Sequence, residues 1–173
     1  VLDVSRIEAG TMVLALKELD PVTMLDEIVR IMQPMAETYE VTLELGLADT
    51  AGLNVIADAQ RLKQVMLNLL SNSIKYNCRV GRVTVRCQNL NDSLVRLEVR
   101  DTGIGISAEK MTRLFTPFER LGAEQTGIEG SGIGLTLTKH LVEVMHGKLT
   151  LESTEGQGTI VWVDLPSAKT AIV

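Results

Sequence analysis

One helix-forming segment carries two amides and an ammonium group on the same side. Asn68, Asn72 and Lys75 stand at positions i, i+4 and i+7, so they share one face of a helix. An amide oxygen is a hard, neutral ligand that suits Mg²⁺, which usually combines one or two protein oxygens with waters and substrate phosphates. Lys75 can meet phosphate charge directly. These residues predict a site for a metal and phosphates, and the alternative is an ordinary solvated helix face.

A carboxylate followed at once by glycines is the second candidate element. Asp101 ends an apolar run that predicts a strand, and Gly103 and Gly105 come next. Glycine lets the backbone come close to a ligand, and an ionised carboxylate only accepts hydrogen bonds. Asp101 could therefore accept from the amino group of adenine and would reject the carbonyl of guanine. The alternative is a turn in which Asp101 caps its own loop.

A glycine-rich loop that leads into a helix is the third element. Gly130, Gly132 and Gly134 stand just before Leu135, at the start of a helix predicted over 133–145. Backbone N–H groups at a helix N-terminus can bind phosphate. The loop is not a Walker A loop, because no Lys-Ser/Thr pair follows Gly134. It also lacks the preceding strand that the dinucleotide-binding fingerprint requires.

The segment before that loop holds the only two Phe of the chain. Phe115 and Phe118 could anchor the base of the loop by burial. Arg120 is a planar, fixed charge that could reach a terminal phosphate. The alternative is a packed loop base with a surface Arg. Residues 121–129 combine little apolar content with glycine hinges, so we expect a mobile lid there.

Composition restricts the class of protein. The chain has 173 residues, 45% of them hydrophobic and only 3% aromatic, and a net charge of −5. This length predicts one domain with a short appendage, and the acidic balance argues against nucleic-acid binding. Cys78 and Cys87 are too few for a structural zinc site. No apolar run is long enough to span a membrane and no signal peptide is visible, so we expect a cytoplasmic location.

Hydrophobic periodicity and turn signals predict alternating strands and helices. Asp20 and Asp58 stand where helix N-caps are expected, and the chain after Pro166 is expected to fray. The predicted strands cover 12–16, 41–45, 54–57, 83–87, 94–99, 147–153 and 158–165, and the predicted helices cover 1–9, 21–35, 59–76, 107–114 and 133–145.

The four chemical segments, taken in their order along the chain, resemble the N, G1, F and G2 boxes of the catalytic and ATP-binding domain of two-component sensor histidine kinases. The resemblance extends over residues 14–165. It implies an α+β fold, a two-layer sandwich in which a mixed, mostly antiparallel sheet is covered by about three helices, with a mobile ATP lid. It also implies three parts: the end of a helical dimerisation and phosphoacceptor hairpin at 1–10, the catalytic domain at 11–166, and a frayed tail at 167–173.

The resemblance implies roles at the phosphate end of a bound ATP. Asn72 would bind Mg²⁺, and Asn68 and Lys75 would lie beside the phosphates. Arg120 would contact the γ-phosphate, so that Asn68, Lys75 and Arg120 are the candidate catalytic residues. The end of the lid and the phosphate cradle would be formed by Gly130, Gly132, Gly134 and Leu135.

The same resemblance implies roles at the adenine end. Tyr76 would flank the nucleotide. Asp101 would accept from the adenine amino group, and Gly103 and Gly105 would let the base approach. Thr159 would support Asp101.

The family phosphorylates a His, but neither His of this chain stands in an acidic phosphoacceptor context. His140 lies within a predicted helix and His146 at a turn. We therefore expect the acceptor His upstream of Val1, because the chain begins inside an apparent helix and reads as a fragment. The implied partners are that acceptor domain, a response-regulator receiver domain, and a second copy that dimerises through the missing hairpin. Neither nucleic acid nor a direct membrane contact is expected.

The function that follows is transfer of the ATP γ-phosphoryl group to a His on a separate domain. One alternative is an ATPase of the related superfamily of gyrase, mismatch-repair proteins and heat-shock chaperones. Hydrolysis there needs a carboxylate to activate water, and Asn68 stands at the corresponding position and cannot act as a base. The other alternative is a nucleotide-sensing module without catalysis.

Overall fold

A computed structural model describes residues 12–47, 52–116 and 134–171 of the chain. The described helices are α1 (Pro21–Thr38), α2 (Ala59–Lys75), α3 (Ala108–Met111) and α4 (Gly134–Val144), with a final 3₁₀ turn at Ala168–Ala171. The described strands are β1 (Leu16–Leu19), β2 (Thr42–Leu47), β3 (Val55–Asp58), β4 (Arg82–Asn91), β5 (Leu94–Asp101), β6 (Lys148–Thr154) and β7 (Gly158–Pro166).

The strands form a five-stranded sheet in the order β2-β4-β5-β7-β6 and a two-stranded sheet of β1 and β3. Only the β2–β4 pair is parallel in the larger sheet, and its other pairs are antiparallel. The predicted α+β class with a mixed, mostly antiparallel sheet is therefore confirmed.

Two aspartates begin the long helices, as their sequence positions predict. Asp20 accepts a hydrogen bond from the backbone N–H of Val22 at 2.9 Å, and Pro21 takes the first position of α1. Asp58 accepts from Gln60 and Arg61 at 3.0 and 3.1 Å at the start of α2. Each cap satisfies N–H groups that have no partner within the helix.

The hydrophobic core lies between the helices and one face of the large sheet. Residues three and four apart on α2 form its buried side: Leu62, Val65, Met66, Leu69 and Leu70. Alternate residues of the central strands face them, including Val83, Val85, Leu97, Val99, Val161 and Val163. Apolar residues that repeat about every 3.6 positions in the helices thus pack against apolar residues that repeat every second position in the strands. Together they form one core between the two layers.

The opposite face of the sheet is covered by its own charged side chains. Arg96 forms a bidentate ion pair with Asp164, with N–O distances of 2.7 and 2.8 Å, and its guanidinium lies over the Trp162 ring. The Trp162 indole N–H donates to Glu98 at 2.8 Å. This pairing explains how Glu98 and Asp164 can be buried without unsatisfied charge.

Two sequence predictions are corrected by the fold. The first strand covers residues 16–19 rather than 12–16, because Ala15 N–H donates to the N-cap carboxylate of Asp58 and pairing with β3 begins only at Leu16. The alternation that suggested 12–16 comes from Met12 and Leu14, which pack on the core without strand pairing.

The predicted frayed tail at 167–173 is also corrected in its first residues. Ser167 and Ala168 are buried, and their N–H groups donate to Ser93 and Asn54 at 2.8 and 2.9 Å. Because these backbone groups are paired, the chain remains attached to the domain beyond Pro166. The predicted hairpin end at 1–10 lies outside the described residues.

Candidate functional site

The three polar residues predicted to lie beside phosphates form a half-buried polar stripe on α2. Asn68, Asn72 and Lys75 are each partly exposed, whereas Leu69 and Leu70 on the other side are buried. The helical spacing therefore separates the polar groups from the packing groups, as expected.

Asn68 joins α2 to the beginning of α4. Its amide Nδ2 donates to the Thr138 hydroxyl at 2.7 Å. A Cβ added to Gly134 would lie 2.7 Å from Asn68 Oδ1, so only glycine lets the start of α4 come this close to the amide. Leu135 follows on the first turn and is half-buried against the core.

Asp101 is held at the end of β5 by backbone groups on two sides. Its Oδ1 accepts from Gly103 N–H at 2.9 Å and from Thr159 N–H at 3.1 Å. Thr159 is opposite Asp101 in the β5–β7 register, which explains why residues 58 positions apart meet. The predicted turn, in which Asp101 caps its own loop, is therefore present together with the long-range contact.

A helix residue adds a third group to this carboxylate. The Ser73 hydroxyl donates to Asp101 from the buried side of α2. Burial raises the pKa of Asp101 above its ordinary value, and the hydrogen bonds from Gly103, Ser73 and Thr159 oppose that rise without cancelling it. The site thus holds a desolvated carboxylate in a fixed orientation.

Gly103 and Gly105 are needed for the packing of their own loop. A Cβ on Gly103 would lie 2.4 Å from the Tyr76 carbonyl oxygen, which accepts from Ile104 N–H at 3.1 Å. Gly105 has φ +64°, and its Cβ would lie 2.0 Å from the Thr154 carbonyl oxygen. The loop is thereby pressed between the end of α2, where Tyr76 is the C-cap residue, and the β6–β7 turn.

Thr159 divides its contacts between two partners. Its backbone N–H holds Asp101, whereas its hydroxyl lies 2.8 Å from Ser153 Oγ. Ser153 also accepts from Ile106 N–H at 2.8 Å. The expected support of Asp101 by Thr159 thus comes from the backbone, and the two hydroxyls fix the loop beside it.

The base of the predicted lid is attached to α4. The Phe115 carbonyl accepts from the Thr136 hydroxyl at 3.1 Å, and Lys139 Nζ lies 4.8 Å from the centre of the Phe115 ring. Arg120, Gly130 and Gly132 lie outside the described residues, as do Phe118 and the predicted lid at 121–129.

Sequence reasoning missed three residues of this region. Ser73 lies among the buried apolar residues of α2, where a small polar side chain is itself a signal that a buried partner exists. Thr138, on the buried side of α4, carried the same signal. Ser153 ends a strand and carried none.

Neither histidine takes part in the hydrogen bonds described above for this region. His140 is half-buried within α4, and His146 is exposed with φ +61° just after that helix.

Within the described ranges, no group of three or more His, Cys, Asp or Glu side chains could hold a metal ion. Among the helices of those ranges, none has the length and apolar content to cross a membrane.

Comparison with protein families decides the class of this site. Residues 57–169 match the family described as histidine kinase-, DNA gyrase B-, and HSP90-like ATPase. The chain belongs to this ATPase family. The match includes α2, the Asp101 loop, α4 and the β6–β7 pair, which are the elements that bring the candidate residues together.

Within the ATPase family, the curated relatives are of the histidine kinase type. The chain is 39% identical over 170 residues to the Non-motile and phage-resistance protein of Caulobacter vibrioides and 37% identical over 166 residues to its Histidine protein kinase DivJ. Each match covers 96% of this chain but only 20% and 28% of the relatives, respectively. The chain thus corresponds to a histidine kinase catalytic, ATP-binding domain and spans about a quarter of these proteins.

Solved histidine kinases share the fold of this domain. Full-length ShkA in complex with AMPPNP matches with a TM-score of 0.83 and 26% identity, covering 96% of this chain and 34% of that one. The mycobacterial sensor histidine kinase MprB matches with a TM-score of 0.74 and 24% identity, covering 88% of this chain and 98% of that one. ThkA in complex with the response regulator TrrA matches with a TM-score of 0.75 and 22% identity, covering 98% of this chain and 47% of that one.

Proposed function

We propose that this domain binds Mg²⁺-ATP and transfers the γ-phosphoryl group to a His imidazole on a separate phosphoacceptor domain, as a step of two-component signalling. The observation that carries the proposal is the partly buried Asp101 carboxylate, held by two backbone N–H groups and the Ser73 hydroxyl. The chain's membership of the ATPase family supports ATP as the nucleotide.

Asp101 supplies selection for adenine. A carboxylate oxygen accepts from the exocyclic amino group of adenine, whereas guanine would present a carbonyl oxygen to the same acceptor. Because several groups orient the carboxylate before the nucleotide arrives, little ordering cost remains on binding. Tyr76 flanks the base in this proposal, and the Gly103–Gly105 loop forms its floor.

The phosphate end uses the polar stripe of α2. Lys75 and Arg120 offset phosphate charge, Asn68 lies beside the phosphates, and the cradle is formed by Gly130, Gly132, Gly134 and Leu135. The residues present fit Mg²⁺, because Asn72 is a half-buried amide on the phosphate-facing side and no carboxylate cluster competes for the ion in the described part of the chain. When bound, Mg²⁺ would neutralise phosphate charge.

The transfer step needs positioning more than acid–base chemistry. The neutral imidazole nitrogen of the acceptor attacks the γ-phosphorus, the bond to the β–γ bridging oxygen breaks, and ADP leaves. Asn68 cannot activate water as a carboxylate would, which favours transfer over the hydrolysis expected of a gyrase-type ATPase. Neither His140 nor His146 lies among the contacts of the site, so the acceptor is proposed to be on another domain.

Partners follow from the same proposal. ShkA was solved with AMPPNP and ThkA with a response regulator, and these support a nucleotide and a receiver domain as partners here. Dimerisation through a phosphoacceptor hairpin and a cytoplasmic location of this domain remain predictions.

Phosphotransfer to an added hairpin tests the proposal. The chain is mixed with a separately produced histidine kinase phosphoacceptor hairpin and γ-labelled ATP, and label is measured at alkaline pH, where phosphohistidine survives. We expect label on the hairpin and none on this chain alone. A hairpin with its acceptor His replaced by Gln is the control. ATP binding without transfer would favour the nucleotide-sensing alternative, and stable label on His140 or His146 would contradict the separate acceptor.

A further inference from the structure

Thr138 has a buried hydroxyl that contacts Asn68. It lies on α4, its exposure is 2%, and its Oγ1 accepts from Asn68 Nδ2 at 2.7 Å. Thr136, two residues earlier, instead donates to the Phe115 carbonyl. The two threonines of α4 therefore hold different segments, and only Thr138 contacts a candidate catalytic residue.

In the structure the Thr138 hydroxyl accepts from the NH₂ end of the Asn68 amide, so the other end of the amide faces the start of α4. An Asn side chain presents an acceptor oxygen at one end and a donor NH₂ at the other. Thr138 takes the NH₂ group, and Oδ1 then lies at the point closest to the Cβ position of Gly134, at 2.7 Å against 3.1 Å for Nδ2. The acceptor end is thus turned toward the first residue of α4.

We propose that Thr138 is a positioning residue, which holds Asn68 with its carbonyl oxygen toward the phosphate end of the site. This inference rests on the proposed function. An oxygen at this place suits Mg²⁺ and its bound waters, whereas an NH₂ group would suit a phosphate oxygen. Thr138 therefore gives Asn68 a role on the metal side, next to Asn72 on the same helix face.

The hydroxyl is the part of Thr138 that this role requires. Valine has nearly the same shape and helix preference as threonine, but it cannot accept a hydrogen bond. Without the acceptor, the amide can rotate and its NH₂ end is left to find water. Serine keeps the acceptor and loses only a methyl group.

Calorimetric titration of the whole chain with ADP, in Mg²⁺ and in EDTA, tests the inference. Thr138→Val should weaken Mg²⁺-ADP binding about fivefold, as expected for one lost hydrogen bond, and should leave binding in EDTA unchanged. Thr138→Ser should restore the wild-type affinity. Thr150→Val, a half-buried residue of β6, is the matched control and should behave as wild type.

A double-mutant cycle shows whether Thr138 acts through Asn68. In an Asn68→Ala background, Thr138→Val should cause no further loss of Mg²⁺-ADP affinity. An additive loss, or an equal loss in Mg²⁺ and in EDTA, would overturn the inference. If Thr138→Val does not fold, Thr138→Ala takes its place. Unfolding of both variants would show a purely structural residue and would also overturn it.

ADP binding by the wild-type chain separates an error in the role of Thr138 from an error in the proposed function. If wild type binds Mg²⁺-ADP and the valine variant matches it under both conditions, only the positioning role is wrong. If wild type itself does not bind ADP, the proposed function fails first.

Discussion

The two ends of the candidate site are held in different ways. At the adenine end, Asp101 is fixed mainly by backbone N–H groups, whose places follow from strand register and from a loop pressed between α2 and the β6–β7 turn. At the phosphate end, Asn68 is fixed by one side chain on a neighbouring helix. We therefore expect the proposed adenine end to be rigid and intolerant of change, and the proposed phosphate end to adapt and to depend on metal.

The largest effect is expected from the loop glycine that has no room for a side chain. Gly105→Ala combines φ +64° with a Cβ 2.0 Å from the Thr154 carbonyl oxygen. We expect a loss of about 2–4 kcal/mol in the free energy of unfolding and no measurable ADP binding. Chemical denaturation and calorimetry measure the two effects.

Gly156→Ala is the matched control for that change. Gly156 has a similar φ of +77° but no atom within 4 Å of its Cβ position. Its free energy of unfolding should fall by only about 1–2 kcal/mol, the cost of a left-handed backbone conformation for a residue with a Cβ. Its ADP affinity should not change. Equal losses of affinity in the two variants would contradict the rigid-loop explanation.

Asp101→Asn should separate binding from stability. We expect ADP affinity to fall about 10- to 100-fold, as for a lost hydrogen bond to a charged group. Stability should move the other way. The folded pKa of Asp101 is raised by burial, so the folded state binds this proton more tightly than the unfolded state, and above both pKa values the ionised carboxylate destabilises the fold.

The uncharged Asn removes that cost at neutral pH. The free energy of unfolding of Asp101→Asn at pH 7 should therefore equal or exceed that of wild type, as measured by denaturant unfolding. A clear loss of stability would mean that the carboxylate is a structural cap rather than a binding group.

Asn72→Ala should have a smaller effect, seen only with metal. The side chain is half-buried on the polar face, so unfolding free energy should change by about 0.5 kcal/mol or less. Mg²⁺-dependent ADP affinity should fall severalfold, and affinity in EDTA should stay the same. Unfolding of the variant, or unchanged Mg²⁺ dependence, would refute the metal role.

Ser73→Ala should have the smallest effect at neutral pH, a loss of ADP affinity of about two- to fivefold. The Ser73 hydroxyl lowers the pKa of Asp101, so its removal raises that pKa further. Because the ionised carboxylate binds adenine, affinity should begin to fall at a higher pH than in wild type as the solution is acidified. Ser71→Ala on the same helix is the control, and identical pH profiles for both variants would exclude the role of Ser73.

Much of this architecture was predictable because local signals determine it. Asp20 and Asp58 mark helix starts through their cap geometry, and alternation identified the central strands. The edge strand at 16–19 was misplaced because most of it is exposed and it pairs with the distant residues 55–58. Such pairing follows from tertiary structure and leaves no local pattern.

The site was predictable in residue type but not in its support. The motifs around Asn68, Asp101 and Gly134 were recognisable from order and spacing. Ser73, Thr138 and Ser153 were not, because their importance depends on which residues meet across elements. The glycines of the Asp101 loop were expected to admit a ligand, and their close contacts with Tyr76 and Thr154 depend on how the loop is packed.

Nucleotide selection by the wild-type chain is the most direct test of the site as a whole. Titration with ATP and with GTP in Mg²⁺, followed by the same titrations of Asp101→Asn, measures what the carboxylate contributes. We expect wild type to bind ATP at least tenfold more tightly than GTP, and Asp101→Asn to lose most of this preference. Equal affinity of wild type for ATP and GTP would contradict the adenine role of Asp101.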